Sequence, residues 1–330
     1  MKIKKFIAIV CVALAGCSIF SGCTAFDKEV YFESSCGRNT IFKIGDLKCP
    51  KKEALTYLVN SKNIYGTVDG VNLWTKDFDT DVICGSLKDA VIEHLTKVYV
   101  LNLYASENEI VLSETEEESC KKAASEYYSS LNDSEKSYMG VREKDICRMY
   151  EKYVLATKVY KELRDSVDEE VSEDECRVME AFVLFVSSED EAKEIQAKID
   201  NGSTFERLAA TYTELDSYKA TFGRNQYDPA VDEVVFNLDT DEVSGAISAD
   251  DGYYFFQCLN KYNEKLSEEN KQVIIEKRRQ QVINDIVEDL ENRYYSDMNT
   301  KLWDKISIDS KMSDDLCTST FFEILSKYSK

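Results

Sequence analysis

The sequence predicts an α+β protein in which helical segments stand before and after a small mixed domain. Only 12 Gly and 2 Pro occur in 330 residues, which favours long helices over a sandwich of short strands. Apolar residues recur at helical spacing along much of the first half of the chain. At Arg177 the pattern changes to a short run of β-branched and apolar residues, which is typical of a buried strand. We therefore divide the chain into 23–176, 177–262 and 263–330, preceded by an export segment over 1–22.

Composition excludes several classes of protein. The 62 Asp and Glu residues outnumber the 41 Lys and Arg residues, and the net charge of −21 argues against a nucleic-acid partner. A single His excludes catalytic or metal sites that need two imidazoles, so we expect no metal and no cofactor. A hydrophobic content of 43% is too high for a disordered acidic chain.

The first 22 residues have the features of an export signal. A basic start at Met1–Lys5 precedes an apolar stretch from Phe6 to Ala15 that is too short to span a bilayer comfortably. The stretch ends in Leu-Ala-Gly-Cys17, which resembles the lipobox of bacterial lipoproteins, and Phe-Ser-Gly-Cys23 is the alternative lipidation site. Lipidation predicts a chain held at the extracytoplasmic face of the cell membrane. A plain cleaved signal and an uncleaved anchor remain open.

The region 23–176 is predicted to be mainly helical. Ser113 and Glu116 form a capping box that opens a helix to about Leu131. Apolar residues spaced by three and four positions define two longer helices. The full set is a short helix at 51–60, a strand or turn at 66–71, and helices at 77–106, 113–131 and 142–166.

The region 177–262 is predicted to have the order β-α-α-α-β-β. A capping box at Ser188 and Glu191 starts a helix that ends before Gly202, and Ser203 with Glu206 starts the next. Asp228-Pro229 restarts the chain as a short helix through 236. The strands are expected at 177–186, 242–244 and 252–259. Beyond this region we expect a helix at 267–298, a strand at 306–308 and a helix at 321–327.

The mixed region resembles a parvulin-type peptidyl-prolyl cis-trans isomerase domain. Five fragments resemble family motifs in the family's order. They are 192–195 with 202–209 (A-K-x-I … G-x-x-F-x-x-L-A), 222–226 (F-G-R-G-Q/E), 236–238 with 242–244 (F-x-L … G-E-V-S), 252–254 (G-Y-H) and the opening strand at 177. The layout also resembles the secreted foldase lipoproteins and the related periplasmic chaperones. In those proteins N-terminal helices and a C-terminal helix form one chaperone domain, into which parvulin is inserted.

The resemblance implies a set of site residues. Tyr254 and Phe182 stand at or beside the positions where the family commonly has two histidines, and they are the catalytic candidates. A second set, implied to bind the proline-containing substrate, consists of Phe222, Tyr227, Val231 and Phe236. The family's Gly-Gly-Asp-Leu-Gly stretch is missing before Phe222. The lone His94 falls in a predicted helix with no nucleophile motif nearby and is interpreted as structural.

Three functions follow from these features. The first is a membrane-anchored foldase that isomerises X–Pro bonds in unfolded or extended exported polypeptides. The second is a chaperone that binds such chains through a degenerate parvulin domain without turning them over, since both histidines are replaced. The third is a surface lipoprotein with a scaffolding or solute-binding role. Seven basic against 17 acidic residues in 177–262 make basic or neutral clients the expected partners.

Overall fold

The computed structural model describes residues 36–68, 71–75, 77–308 and 315–329. The predicted export signal, with Cys17 and Cys23, lies outside these ranges. Within them, none of the helices combines the length and the apolar composition that a membrane span requires.

The chain forms two compact units. The helical unit consists of residues up to Ser166 together with those from Gln280 onward, and the inserted unit is Val167–Arg279. The inserted unit encloses the mixed region that was predicted at 177–262. The mixed helix-and-strand class predicted from the sequence is therefore confirmed.

The described part of the helical unit begins with a hairpin that the sequence did not predict. Strands β1 (Thr40–Ile44) and β2 (Leu47–Pro50) pair antiparallel through a turn at Gly45, whose φ of 55° favours glycine. Both strands are short, and hydrophobic alternation over four or five residues is a weak signal. The predicted strand or turn near residue 66 contains β3 (Thr67–Val68) and β4 (Val71–Asn72), which pair with each other.

In the described residues of the N-terminal part, five helices follow the hairpin. Ser113 forms the predicted capping box with Glu116, and Asp79 caps the preceding helix by accepting a hydrogen bond from the Val82 amide. Their apolar faces share one large core. The helices are α1 (Lys51–Tyr65), α2 (Thr80–Glu107), α3 (Glu114–Ser130), α4 (Asp133–Met139) and α5 (Glu143–Asp165).

The C-terminal part departs from the sequence prediction in two places. Helix α10 is Glu264–Arg293, and the residues expected as its last turn form β9 (Ser296–Met298) instead. Pairing of β9 with β1 makes a three-stranded sheet of order β2-β1-β9, so a tertiary contact overrides the local helical pattern. The strand expected at 306–308 is wrong, because Ile306 and Ile308 are buried in the helical core without a strand partner.

Among the residues described after β9 there are two further helices, α11 (Thr300–Trp303) and α12 (Phe321–Tyr328), the second of them as predicted. The buried carboxylate of Glu135 accepts hydrogen bonds from the backbone amides of Cys317 and Thr318 and from the Thr318 hydroxyl. These bonds hold the segment that leads into α12 against the helical core.

The inserted unit contains a four-stranded antiparallel sheet of order β6-β5-β8-β7. Helices α7 and α8 follow the first strand, and α9 follows the second. The elements are α6 (Glu173–Cys176), β5 (Val178–Val186), α7 (Glu189–Asp200), α8 (Phe205–Tyr212), β6 (Lys219–Gly223), α9 (Pro229–Val235), β7 (Ile247–Ala249) and β8 (Gly252–Asn260).

Three details of the predicted β-α-α-α-β-β order need correction. Strand β6 is absent from the predicted order, because its Lys-Ala-Thr-Phe-Gly sequence has one large apolar residue. The expected strand at 242–244 is reduced to a single bridge between Val243 and Gln257, and the edge strand is β7. The N-cap residue of α8 is Thr204 and not Ser203.

The sheet has an apolar cluster on each face. Side chains alternate along β5, so Ala181 and Val183 face α9 while Phe182 and Leu184 face α7 and α8. The same alternation on β8 places Tyr254 and Phe256 on the α9 face. The α9 face is where most of the predicted site residues lie.

Candidate functional site

Six aromatic side chains meet on the α9 face of the sheet, and we call them the aromatic cluster. Strand pleat places Tyr254 and Phe256 on one side of β8. Helix α9 is fixed by its start, where the Asp228 carboxylate accepts a hydrogen bond from the Ala230 amide and Pro229 occupies the first turn. The cluster consists of Phe185, Phe222, Tyr227, Phe236, Tyr254 and Phe256.

Tyr227 links the two ends of the aromatic cluster. Its ring centroid lies 5.0 Å from Phe222, 5.3 Å from Phe256 and 5.7 Å from Tyr254, each in an edge-to-face arrangement. Tyr254 in turn stacks on Phe256 at 6.1 Å. Contacts of this geometry contribute about 0.5–1.5 kcal/mol per pair beyond burial, so the rings support one another in fixed positions.

The aromatic cluster has an interior and a rim. Phe222 and Phe236 are 3% and 2% exposed, and Val231 beneath them is fully buried. Tyr227 and Phe185 are half-buried, and Tyr254 is 8% exposed. Tyr227, Tyr254 and Phe185 are therefore the more exposed members, which form the rim, while the other residues form the floor.

Two hydroxyl groups are the polar atoms of the rim. The Tyr254 hydroxyl donates a hydrogen bond of 2.9 Å to the Asp251 carboxylate. Burial, with that hydrogen bond to Asp251, raises the pKa of Tyr254 to about 12. Burial and the nearby charge of Asp232 also raise the pKa of Tyr227. Both phenols therefore stay protonated at neutral pH and are available for hydrogen bonding.

Two arginines fix the floor residue Phe236. The guanidinium carbons of Arg177 and Arg224 lie 5.0 and 4.5 Å from its ring centroid. Arg177 also donates a hydrogen bond to the Phe236 carbonyl. The carboxylate of Asp174 pairs with both guanidinium groups, at 3.0 and 2.7 Å. The positive charge at this end is thus partly balanced.

The loop that carries Tyr227 is held by a buried carboxylate. Asn225 has a φ of 62°, a left-handed conformation that Asn tolerates better than most residues. Its amide donates to Asp232 on α9, which is 6% exposed. This bond fixes the path of the chain just before Tyr227.

The structure brings together five of the six predicted site residues of this unit. Tyr254, Phe222, Tyr227, Val231 and Phe236 share the α9 face. Phe182 does not join them: it lies on the opposite face, 5.7 Å from Tyr218, with the Lys219 ammonium over its ring.

Alternation along β5 explains the position of Phe182, and it places Ala181 and Val183 toward the aromatic cluster instead. The first strand therefore presents only apolar side chains at the centre of this face. The sequence contains one His, and it lies in α2 of the helical unit, so the inserted unit has no imidazole.

The sequence analysis missed two residues at the rim. Phe185 lies 4.7 Å from Tyr254 between ring centroids, but an aromatic residue at the end of a buried strand gives no sign of its partner. Asp251 is the hydrogen-bond partner of Tyr254, and the Asp-Asp-Gly turn before β8 was a signal for it.

Comparison with known families gives a match over the inserted unit. Residues 159–268 match the family Rotamase_2, the PPIC-type PPIASE domain. The predicted parvulin-type domain is thereby confirmed. The match and the relatives below support peptidyl-prolyl cis-trans isomerase activity for the chain.

Individual relatives are foldases. The chain is 26% identical over 201 residues to foldase protein PrsA 3 of Bacillus anthracis, covering 52% of this chain and 68% of that protein. It is 28% identical over 158 residues to foldase protein PrsA 3 of Bacillus cereus, covering 42% and 53%. With foldase protein PrsA of Halalkalibacterium halodurans the identity is 22% over 261 residues, covering 72% and 78%. The matches to the first two relatives thus span about half to two thirds of those proteins.

The solved structures with partial similarity to the chain include an isomerase and a chaperone. The crystal structure of peptidylprolyl isomerase PrsA from Bacillus cereus has 18% identity and a TM-score of 0.40, covering 80% of this chain and 97% of that chain. A SurA-like chaperone structure from Campylobacter jejuni (PEB4 and Cj1289) has 10% identity and a TM-score of 0.28, covering 79% and 99%.

Proposed function

We propose that the chain is a peptidyl-prolyl cis-trans isomerase that assists the folding of exported polypeptides at the extracytoplasmic face of the membrane. The observation that carries the proposal is the aromatic cluster, a rigid apolar surface with two phenol hydroxyls at its rim. A proline ring is apolar and compact, and its amide carries polar atoms on either side. The apolar rings of the cluster match the proline ring, and the two hydroxyls match the polar atoms of its amide.

The reaction requires no covalent step. Rotation about an X–Pro bond has a barrier of about 18–20 kcal/mol because the planar amide is stabilised by resonance. An enzyme lowers that barrier by binding the twisted amide more tightly than the planar one. We propose that Tyr227, Tyr254 and Phe185 hold the proline ring while the rest of the client chain turns.

The two hydroxyls then act on the client backbone. The Tyr254 hydroxyl donates a hydrogen bond to Asp251. Its oxygen lone pairs therefore remain available to accept a hydrogen bond from a client N–H group. Tyr227 keeps its proton, and it is placed to donate to the client carbonyl. Because neither phenol ionises near neutral pH, both roles persist across the physiological range.

Substitution of Tyr254 by Phe tests this site. Tyr254→Phe keeps the ring contacts with Phe185 and Phe256 and removes only the hydroxyl. One lost hydrogen bond is expected to lower kcat/KM by about three- to tenfold. Exchange NMR of an Ala-Pro peptide gives the rate, and far-UV circular dichroism checks the fold. An unchanged rate would remove Tyr254 from the site.

Binding without catalysis is the second candidate. The observation in its favour is that the inserted unit has no His, while β5 presents only apolar residues to the aromatic cluster. Such a surface would hold a proline-containing chain in either isomer with equal affinity. Suppression of client aggregation without any acceleration of isomerisation would establish this alternative.

Domain roles and membrane anchoring complete the proposal. We assign client holding to the helical unit and isomerisation to the inserted unit. A lipid on Cys17, or alternatively on Cys23, would keep the chain at the surface where exported proteins emerge. Each acyl CH₂ contributes about 0.8 kcal/mol to membrane binding, so a multiply acylated cysteine would hold the chain firmly at the membrane.

Substitution of each candidate cysteine tests the anchor. If Cys17 carries the lipid, Cys17→Ser releases the chain from the membrane fraction and abolishes labelling with a radioactive fatty acid, whereas Cys23→Ser changes neither. The reverse pattern would assign the lipid to Cys23. Labelling of neither cysteine in the unsubstituted chain would overturn the anchoring proposal.

A further inference from the structure

The charges near the aromatic cluster are unevenly distributed. At the floor, Arg177 and Arg224 lie against Phe236, and both pair with Asp174. At the rim, the charged neighbours of the two phenols are carboxylates, Asp251 beside Tyr254 and Asp232 beside Tyr227. The part of the cluster that a ligand reaches is therefore the acidic part.

Asp251 is the rim charge that a ligand can approach. Asp251 is exposed, whereas Asp232 is buried and its carboxylate accepts a hydrogen bond from the Asn225 amide. Among the residues that the structure describes, Asp251 takes part in no ion pair, and its recorded partner is the neutral Tyr254 hydroxyl. A carboxylate that lies beside an apolar cluster attracts a cationic side chain that binds near that cluster.

The backbone fixes Asp251 in this place. Strands β7 and β8 pair from Ala249 to Gly252, so Asp250 and Asp251 form the two-residue turn between them. Gly252 has a φ of 152°, and a Cβ atom built there would lie 2.6 Å from the Val186 carbonyl oxygen and 2.8 Å from the Phe185 ring. The turn therefore packs tightly against the rim, and Asp251 has little freedom to move away.

We propose that Asp251 is a specificity-determining residue that selects clients with Lys or Arg next to the proline. The proline ring contacts Tyr227 and Tyr254, and the neighbouring side chain then reaches the Asp251 carboxylate. A basic side chain gains an ion pair there, while an acidic one meets a like charge. This preference rests on the proposed function, since it concerns the same aromatic cluster.

Three peptides that differ only in the residue before proline test the preference. With the full-length chain, we expect kcat/KM for Lys-Pro to exceed that for Glu-Pro by about fivefold or more, with Ala-Pro between them. The ratio should fall as salt is added. Asp251→Asn keeps an acceptor for the Tyr254 hydroxyl and removes the charge, so the Lys-to-Glu ratio should approach 1.

Glu206→Gln is the matched control. This exposed residue begins α8 on the opposite face of the sheet, and its loss changes the net charge by the same amount. The control should keep the fivefold ratio. An equal effect of Glu206→Gln and Asp251→Asn, or an unchanged ratio in Asp251→Asn, would overturn the assignment.

Affinity separates this proposal from the proposed catalysis. Titration of the three peptides into the ¹⁵N-labelled chain gives dissociation constants whether or not the bond is isomerised. Tighter binding of the Lys-Pro peptide that depends on Asp251, without acceleration, would sustain the selectivity and reject the enzyme. If all three peptides were accelerated with equal affinity and equal rate, the proposed catalysis would be sustained and the selectivity rejected.

Discussion

At the residue scale, the position of a side chain on one or the other face of the sheet decides whether it belongs to the site. Tyr254 and Phe256 reach the aromatic cluster because they are two residues apart on β8, whereas Phe182 is turned away by one step on β5. The family motifs placed Phe182 on the correct strand, but they did not show which face of the sheet its side chain occupies. The pairing of Tyr254 with Asp251 was equally hidden, since hydrogen-bond partners across a turn depend on its geometry.

His94 provides a test at the same scale. It is half-buried and lies among aromatic rings, with centroids 5.5 Å from Tyr57, 6.0 Å from Tyr153 and 5.9 Å from Phe322. Burial, together with the charge of Lys97, lowers the pKa of His94 from 6.5 to about 4. This agrees with the structural role predicted from the sequence.

The lowered pKa of His94 predicts a pH dependence of stability. Between pH 6.5 and about 4 the unfolded chain binds a proton at His94 that the folded chain does not, so this contribution is complete above pH 6.5 and is lost as the pH falls. The loss amounts to about 3 kcal/mol. Between pH 7 and pH 4, the free energy of unfolding measured by urea titration should fall by about 3 kcal/mol less in His94→Phe than in the unsubstituted chain. If the free energy of unfolding depended on pH in the same way in both proteins, a neutral imidazole among these rings would be contradicted.

At the element scale, strong local signals predicted helices and weak ones missed strands. The Ser113–Glu116 capping box and the Asp228-Pro229 start set helix ends that the structure reproduces. Strands β1, β2 and β6 were missed because each is four or five residues long, and β1 and β6 also pair with strands distant in sequence. The end of α10 was misplaced for the same reason, since pairing with β1 extends residues 296–298.

The turn between β7 and β8 predicts a strong effect of one substitution. Gly252→Ala introduces a Cβ atom that overlaps the Val186 carbonyl and the Phe185 ring, at a φ that side-chain-bearing residues rarely adopt. We expect a loss of more than about 2 kcal/mol in the free energy of unfolding, measured by chemical denaturation. Gly245→Ala is the control in the same unit, because its Cβ atom would meet only Gln196, at 3.6 Å. Equal stabilities of the two variants would show that the turn is not tightly packed.

At the scale of the whole molecule, the acidic composition bears on the choice of clients. A net charge of −21 attracts basic polypeptides over distances set by the Debye length, which is about 10 Å at 0.1 M salt. Binding of a Lys-rich unfolded polypeptide should therefore weaken steeply between 20 and 300 mM NaCl, by about tenfold or more, while binding of a neutral one changes little. Fluorescence anisotropy measures both, and equal salt dependence would show that net charge does not select clients.

The most direct test of the central claim is the rate of X–Pro isomerisation in a short peptide, with and without the full-length chain. Uncatalysed exchange takes tens to hundreds of seconds at 25 °C. The aromatic cluster predicts that exchange NMR will show acceleration in proportion to the concentration of the chain. The rate should also be flat between pH 6 and 9, because the inserted unit has no His and Tyr254 has a pKa of about 12. Exchange at the uncatalysed rate, with peptide demonstrably bound, would contradict the claim.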